Sequence, residues 1–141
     1  MSDITGQCLC GGVEYSAEKV NAEFGACHCK MCRQWASGPL FATHAFGVRF
    51  DGEDLITRYS SSDWAERGFC SRCGTSLFYR LKDGGDYIMS VGSFHDAVSA
   101  GFKLVEEIFV DHKSGGYDLA GDHPRKTEAE AMAEYFADKE S

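Results

Sequence analysis

Apolar and polar residues alternate in short runs along most of this chain. Residues 13–17 read Val-Glu-Tyr-Ser-Ala, with an apolar side chain at every second place, the pattern of a strand with one face buried. The same reading predicts strands over 22–26, 40–45, 47–50, 55–59, 76–81 and 87–91, and a last one over 103–110. Asp51-Gly52 stands between two of these runs and predicts a hairpin there. Asp83-Gly84-Gly85-Asp86 predicts a turn that lets 87–91 pair back on 76–81. Residues 35–39 read as a turn-rich link and 60–63 as a polar loop.

The period changes near the C-terminus. Ala129, Met132, Ala133 and Phe136 recur at helical spacing, and Thr127 with Glu130 forms a capping-box pattern. These predict one amphipathic helix, expected to pack on the domain. No internal repeat or low-complexity tract interrupts the chain. The fold class expected is mostly β, as one domain over 1–124 followed by a helical tail over 125–141.

Composition narrows this little. A chain of 141 residues can build one substantial core, and 43% hydrophobic residues suit a globular chain. No run approaches the roughly 18 apolar residues of a membrane span. Met1-Ser2-Asp3-Ile4-Thr5 lacks the basic-then-apolar pattern of a secretion signal. The expectation is a cytoplasmic chain with no membrane partner. A net charge of −8 is a poor match for nucleic acid, whose affinity comes mainly from cationic contacts to phosphate.

The cysteines change the picture. All seven fall into three tight groups: Cys8 and Cys10, then Cys27, Cys29 and Cys32, then Cys70 and Cys73. An odd count, no secretion signal and the closeness of Cys8 to Cys10 argue against disulfides. Buried apolar cysteines would not cluster, and the spacing lacks the run of four usual for iron–sulfur clusters. A CxxC redox couple at Cys29–Cys32 or Cys70–Cys73 stays open. Zinc suits the set best. Seven divides as a closed four-thiolate site (Cys8, Cys10, Cys70, Cys73) and an open three-thiolate site (Cys27, Cys29, Cys32). Strand alternation turns Cys27 and Cys29 to one face and His28 to the other; the competing division, with His28 as a fourth ligand, needs it turned round. A three-thiolate zinc is electron-rich and suits a further sulfur ligand better than it sharpens a water.

Three motifs resemble the family of glutathione-dependent formaldehyde-activating enzymes and centromere-protein-V-like domains. They are Gly6-x-Cys8-x-Cys10-Gly11-x-Val13, Cys27-His28-Cys29-x-x-Cys32-Arg33 and Phe69-Cys70-x-x-Cys73-Gly74-Thr75. The likeness runs over about residues 5–112. It implies a fold of the Mss4-like type, zinc-stapled β-sheets, with Cys8, Cys10, Cys70 and Cys73 as structural ligands. It implies that Cys27, Cys29 and Cys32 are the catalytic or substrate-side ligands of a second Zn2+. The implied activity is that of a carbon–sulfur lyase, condensing formaldehyde with glutathione to S-(hydroxymethyl)glutathione. The expected partners are a small-molecule thiol such as glutathione and a small carbonyl compound, with Lys30, Arg33 and His44 as candidate cations for the tripeptide's carboxylates. The alternatives are a non-enzymatic zinc-binding interaction module and a thiol redox sensor.

Overall fold

A computed structural model of the chain describes residues 3–140, and side chains as far as residue 137. In order, the elements are β1 (Ile4–Gln7), β2 (Glu14–Ala17), β3 (Lys19–Val20), β4 (Glu23–Cys27), α1 (Lys30–Ala36), β5 (Leu40–Phe46), β6 (Arg49–Asp51), β7 (Ile56–Ser60), β8 (Ala65–Cys70), β9 (Ser76–Leu81), β10 (Tyr87–Ser90), β11 (Lys103–Ile108), β12 (Arg125–Lys126) and α2 (Glu128–Glu140). The chain is mostly β with a C-terminal helix, as its alternation predicts. It forms two compact units, each from two stretches: Met1–Phe24 with Ala42–Lys103, and Gly25–Phe41 with Leu104–Ser141.

The first unit holds a three-stranded sheet, β1-β2-β6, and an antiparallel run, β5-β10-β9-β8-β7, with β3 on β5. Alternation places its core. Val13, Tyr15 and Ala17 are buried while Glu14 between them is exposed. They join Ala45, Leu77, Phe78, Met89 and Phe94 in one apolar cluster that also contains Cys8 and Cys70. Full burial of Leu77, Phe78 and Met89 stabilises the unit by about 1.5–3 kcal/mol each. The ring of Phe78 lies edge-on to Tyr87 at 4.8 Å and under the Arg58 guanidinium at 5.0 Å.

One expectation fails in this unit, and one strand goes unpredicted. Asp51-Gly52 makes no hairpin: β6 pairs with β2, Phe50 opposite Tyr15, and β7 pairs with β8. Gly52 instead takes φ +78° and opens a 3-10 turn over Glu53–Leu55. It is glycine because a Cβ there would stand 2.0 Å from the Gly12 carbonyl oxygen. The strand β8 has no counterpart in the sequence reading. It contains a buried arginine, Arg67, whose guanidinium sits 5.2 Å from the Tyr79 ring, and its pairing with β9 shifts register at Gly68 and Phe69. That bulge erases the period of two.

The second unit holds β12-β11-β4, with β11 and β12 parallel through Glu107 opposite Arg125. The link expected over residues 35–39 is confined to 37–39, because a helix that the alternation does not predict, α1, runs on through Trp35 and Ala36. Cys29 caps α1, its Sγ accepting the Cys32 N–H at 3.4 Å, and Ser37 ends the helix in the left-handed region at φ 64°. The tail helix forms as predicted, with its capping box made in both directions: Thr127 N–H donates to Glu130 at 3.0 Å and Glu130 N–H to the Thr127 hydroxyl at 3.3 Å. Lys126 reaches both Glu106 and Glu134, at 2.8 and 2.6 Å. The stripe of Ala129, Met132, Ala133 and Phe136, expected to pack, is exposed, with Met132 and Phe136 at 37% and 54%. The helix is held at its N-terminal end, where Glu128 N–H also donates to Asp111 at 2.9 Å. No helix of the described residues is long and apolar enough to cross a membrane.

Candidate metal centres

Chain turns at the ends of strands bring the first four sulfurs together. After β1 the chain passes through Cys8-Leu9-Cys10 and doubles back at Gly11, whose φ is +78°. The strand β8 ends on Cys70, and the chain turns through Ser71 and Arg72 to Cys73 and then Gly74 at φ +81°. The Sγ atoms of Cys8, Cys10, Cys70 and Cys73 all lie within 4.8 Å of one another. Cys8 and Cys10 are 3.5 Å apart, and Cys10 and Cys70 3.8 Å. A tetrahedron with metal–sulfur bonds near 2.3 Å has edges of about 3.8 Å, so the four thiols fit zinc in size and in kind.

Donors converge on these sulfurs, as thiolates require. Val13 N–H points at Cys8 Sγ at 3.3 Å, and Gly12 N–H and Arg72 Nε at Cys10 Sγ at 3.4 and 3.3 Å. The Gly12 amide, followed by Arg72, holds the Cys10 thiol below its ordinary pKa. The Thr75 hydroxyl, 3.2 Å from Cys73, and then the Thr75 backbone bring Cys73 down to about 5. Burial pushes Cys8 the other way. The roles of Arg72 and Thr75 escape the sequence reading, although both lie inside the quoted motif and Arg72 sits within the CxxC loop itself.

The second group belongs wholly to the other unit. Cys27 closes β4, Cys29 caps α1 and Cys32 lies in its first turn. Their three sulfurs lie within 4.8 Å of one another. The neighbouring sulfurs of Cys29 and Cys32, and then burial, drive the Cys27 thiol upward. Three thiols this close lose their protons together only where a cation offsets the charge, which is the condition a zinc ion meets. Among the described residues, no fourth Cys, His, Asp or Glu donor completes this group.

His28 is turned away from the sulfurs. It is 1% exposed, and its Nε2 stands 2.7 Å from Glu107 Oε1. The other Glu107 oxygen meets His123 Nε2 at 2.6 Å and Arg125 Nε at 3.0 Å. Burial works against the charge of Glu107, but the bonds from His123 and His28 outweigh it and leave the carboxyl below its ordinary pKa. Glu107 and His123 carry no local signal in the sequence, because each meets this network only through long-range folding. Of the candidate cations, Lys30 is exposed at the start of α1, and Arg33 is half-buried one turn further on, its Nε enclosed without a hydrogen-bond partner. His44 is exposed on β5, within the first unit.

A family model described as "Glutathione-dependent formaldehyde-activating enzyme" matches residues 3–112 of the chain. A Schizosaccharomyces pombe protein named as an uncharacterized lyase is 30% identical over 134 residues, which cover 94% of this chain and 96% of that protein. A crystal structure of a Rhodobacter sphaeroides protein is similar with a TM-score of 0.60 and 23% identity, over 86% of this chain and 99% of that one. At that identity the likeness is one of fold.

Proposed function

The chain belongs to the family of glutathione-dependent formaldehyde-activating enzymes, and from that premise we propose that it is a zinc-dependent carbon–sulfur lyase. Cys8, Cys10, Cys70 and Cys73 hold a structural Zn2+. Cys27, Cys29 and Cys32 hold a second one and leave a coordination position for a substrate thiol, glutathione or a similar molecule. The observation that carries this reading is the three-sulfur cluster with His28 turned away from it. The lyase name of the Schizosaccharomyces pombe relative supports the reaction class.

The reaction is a reversible addition to a small carbonyl compound such as formaldehyde. Sulfur forms a bond to the carbonyl carbon, the carbonyl π pair moves to oxygen, and oxygen takes up the proton that the thiol gave up. In the reverse direction the carbon–sulfur bond breaks and the carbonyl re-forms. When bound, the ion supplies an electron-pair acceptor that favours the thiolate form of a fourth sulfur ligand. The chain's own residues bind and orient. Cys29 Sγ, accepting the Cys32 N–H, ties the centre to the first turn of α1, and Lys30 and Arg33 place two cations on that helix for the carboxylates of a tripeptide.

Isothermal titration of the zinc-loaded protein with glutathione, paralleled by visible spectra of the cobalt-substituted protein, tests the reading. It expects binding heat and an altered sulfur-to-cobalt band at one of the two centres. No heat and an unchanged spectrum would refute glutathione as the ligand.

A further inference from the structure

We propose that Glu107 is a positioning residue for the Cys27/Cys29/Cys32 centre, fixing through His28 the stretch of backbone that presents Cys27 and Cys29. This rests on the reading of those cysteines as a zinc centre.

The two CxC segments of the chain share a spacing and differ in what stands between their sulfurs. In Cys8-Leu9-Cys10 the middle side chain is 85% exposed. In Cys27-His28-Cys29 it is 1% exposed and bound at 2.7 Å to the carboxylate of Glu107, a side chain that is itself 2% exposed. The main chain of His28 is tied to the same place, its N–H donating to the Ile108 carbonyl at 3.1 Å. The residue between two candidate ligands is thus fastened, by backbone and by side chain, to consecutive residues of β11. Glu107 is held in turn from its other side by His123 and Arg125. A carboxylate accepts only, so each histidine presents an N–H from Nε2.

Burying such a group is not needed for stability. Apolar side chains of the same volume fill an interior as well or better. What they do not supply is direction. Successive side chains leave an extended backbone on opposite faces, so an imidazole that cannot rotate or withdraw also fixes the outward direction of the two flanking sulfurs. The four-cysteine site closes on its ion from two separate loops and needs no such anchor. The three-cysteine site has one arm fewer, and the geometry of its ligands has to be set from behind.

The test compares the full-length wild type with His28→Leu, Glu107→Leu and Glu107→Gln. Zinc affinity at each centre is measured by competition with a chromophoric chelator, and the cobalt–thiolate absorption reports geometry. The outer four-cysteine site serves as an internal control for folding. In His28→Leu, the three-cysteine centre is expected to bind zinc about 10-fold or more weaker with a shifted cobalt band, in the range typical of lost outer-shell partners, and the outer site to be unchanged. Glu107→Gln keeps an oxygen that accepts from His28 and should lose less than Glu107→Leu. Wild-type affinity and spectrum at both centres in His28→Leu would overturn the proposal. Equal loss at both centres in that variant would overturn it too, by making the network a support of the fold. A wild type that takes up one ion only would instead remove the two-centre reading beneath it, and the inference with it.

Discussion

Gly68→Ala puts a methyl group where the first unit has no room for one. Gly68 faces Phe78 across the β8–β9 ladder. A Cβ at position 68 would lie 2.2 Å from Cζ of that ring, 2.4 Å from Cε2 and 2.7 Å from Cε1. Apolar carbons rest about 3.5–4.0 Å apart, so the ring has to retreat by about 1 Å or more. Its retreat is blocked by the Tyr87 ring at 4.8 Å, the Phe50 ring at 5.6 Å and the Arg58 guanidinium at 5.0 Å. Overpacking of this kind costs about 1–3 kcal/mol, while replacing glycine in a strand returns about 0.5–1 kcal/mol. The net loss is up to about 2.5 kcal/mol, or a fall in Tm of up to about 10 °C for a chain of this length. Calorimetry of the zinc-loaded protein measures it, and a cycle with Phe78→Leu assigns it. Shortening the ring should relieve the methyl, so the double variant should be less destabilised than the two single effects summed. A stabilising Gly68→Ala, or strict additivity with Phe78→Leu, would refute this account of the close approach.

Two further predictions concern individual hydrogen bonds. The Thr127 backbone N–H, and then its hydroxyl, keep the Glu130 carboxyl below its ordinary pKa. A lowered folded pKa stabilises the cap fully above the ordinary carboxylate range and loses that contribution as pH falls through the folded value. Amide protection over residues 128–137, taken relative to the intrinsic exchange rate at each pH, should therefore fall below about pH 4, and Glu130→Gln should flatten the dependence; an identical pH profile in the variant would contradict this. Thr75→Val removes the hydroxyl beside Cys73 and the acceptor of the Leu9 N–H at 2.9 Å. It should weaken zinc at the four-cysteine site by about 10-fold and spare the three-cysteine site, and chelator competition showing unchanged retention at the outer site would contradict it.

The sequence discloses local chemistry well and distant partners hardly at all. The three cysteine groups, the turns at Gly11 and Gly74 and the turning of His28 to the face opposite the sulfurs follow from spacing alone, because each depends on residues a few places apart. The capping box of Thr127 and Glu130 is legible for the same reason. The helix α1 is missed because its cap is a cysteine, not one of the usual Ser, Thr, Asp or Asn residues, and because seven residues carry too few turns for a period to show. The strand β8 is hidden by its bulge and by Arg67, which reads as a surface charge and is buried. The hairpin expected at Asp51-Gly52 fails since Gly52 answers a close approach to Gly12, far away in sequence. Glu107, the residue that fastens His28, lies 79 residues from it and only folding brings the two together.

The division of seven cysteines into four and three is tested most directly by counting zinc in the purified wild type and in Cys29→Ser, with the fold of each followed by calorimetry. The account predicts two ions in the wild type and one in the variant, which remains folded because its four-cysteine site is intact. Loss of both ions together with the fold in Cys29→Ser would contradict it, and would make Cys27, Cys29 and Cys32 a structural site.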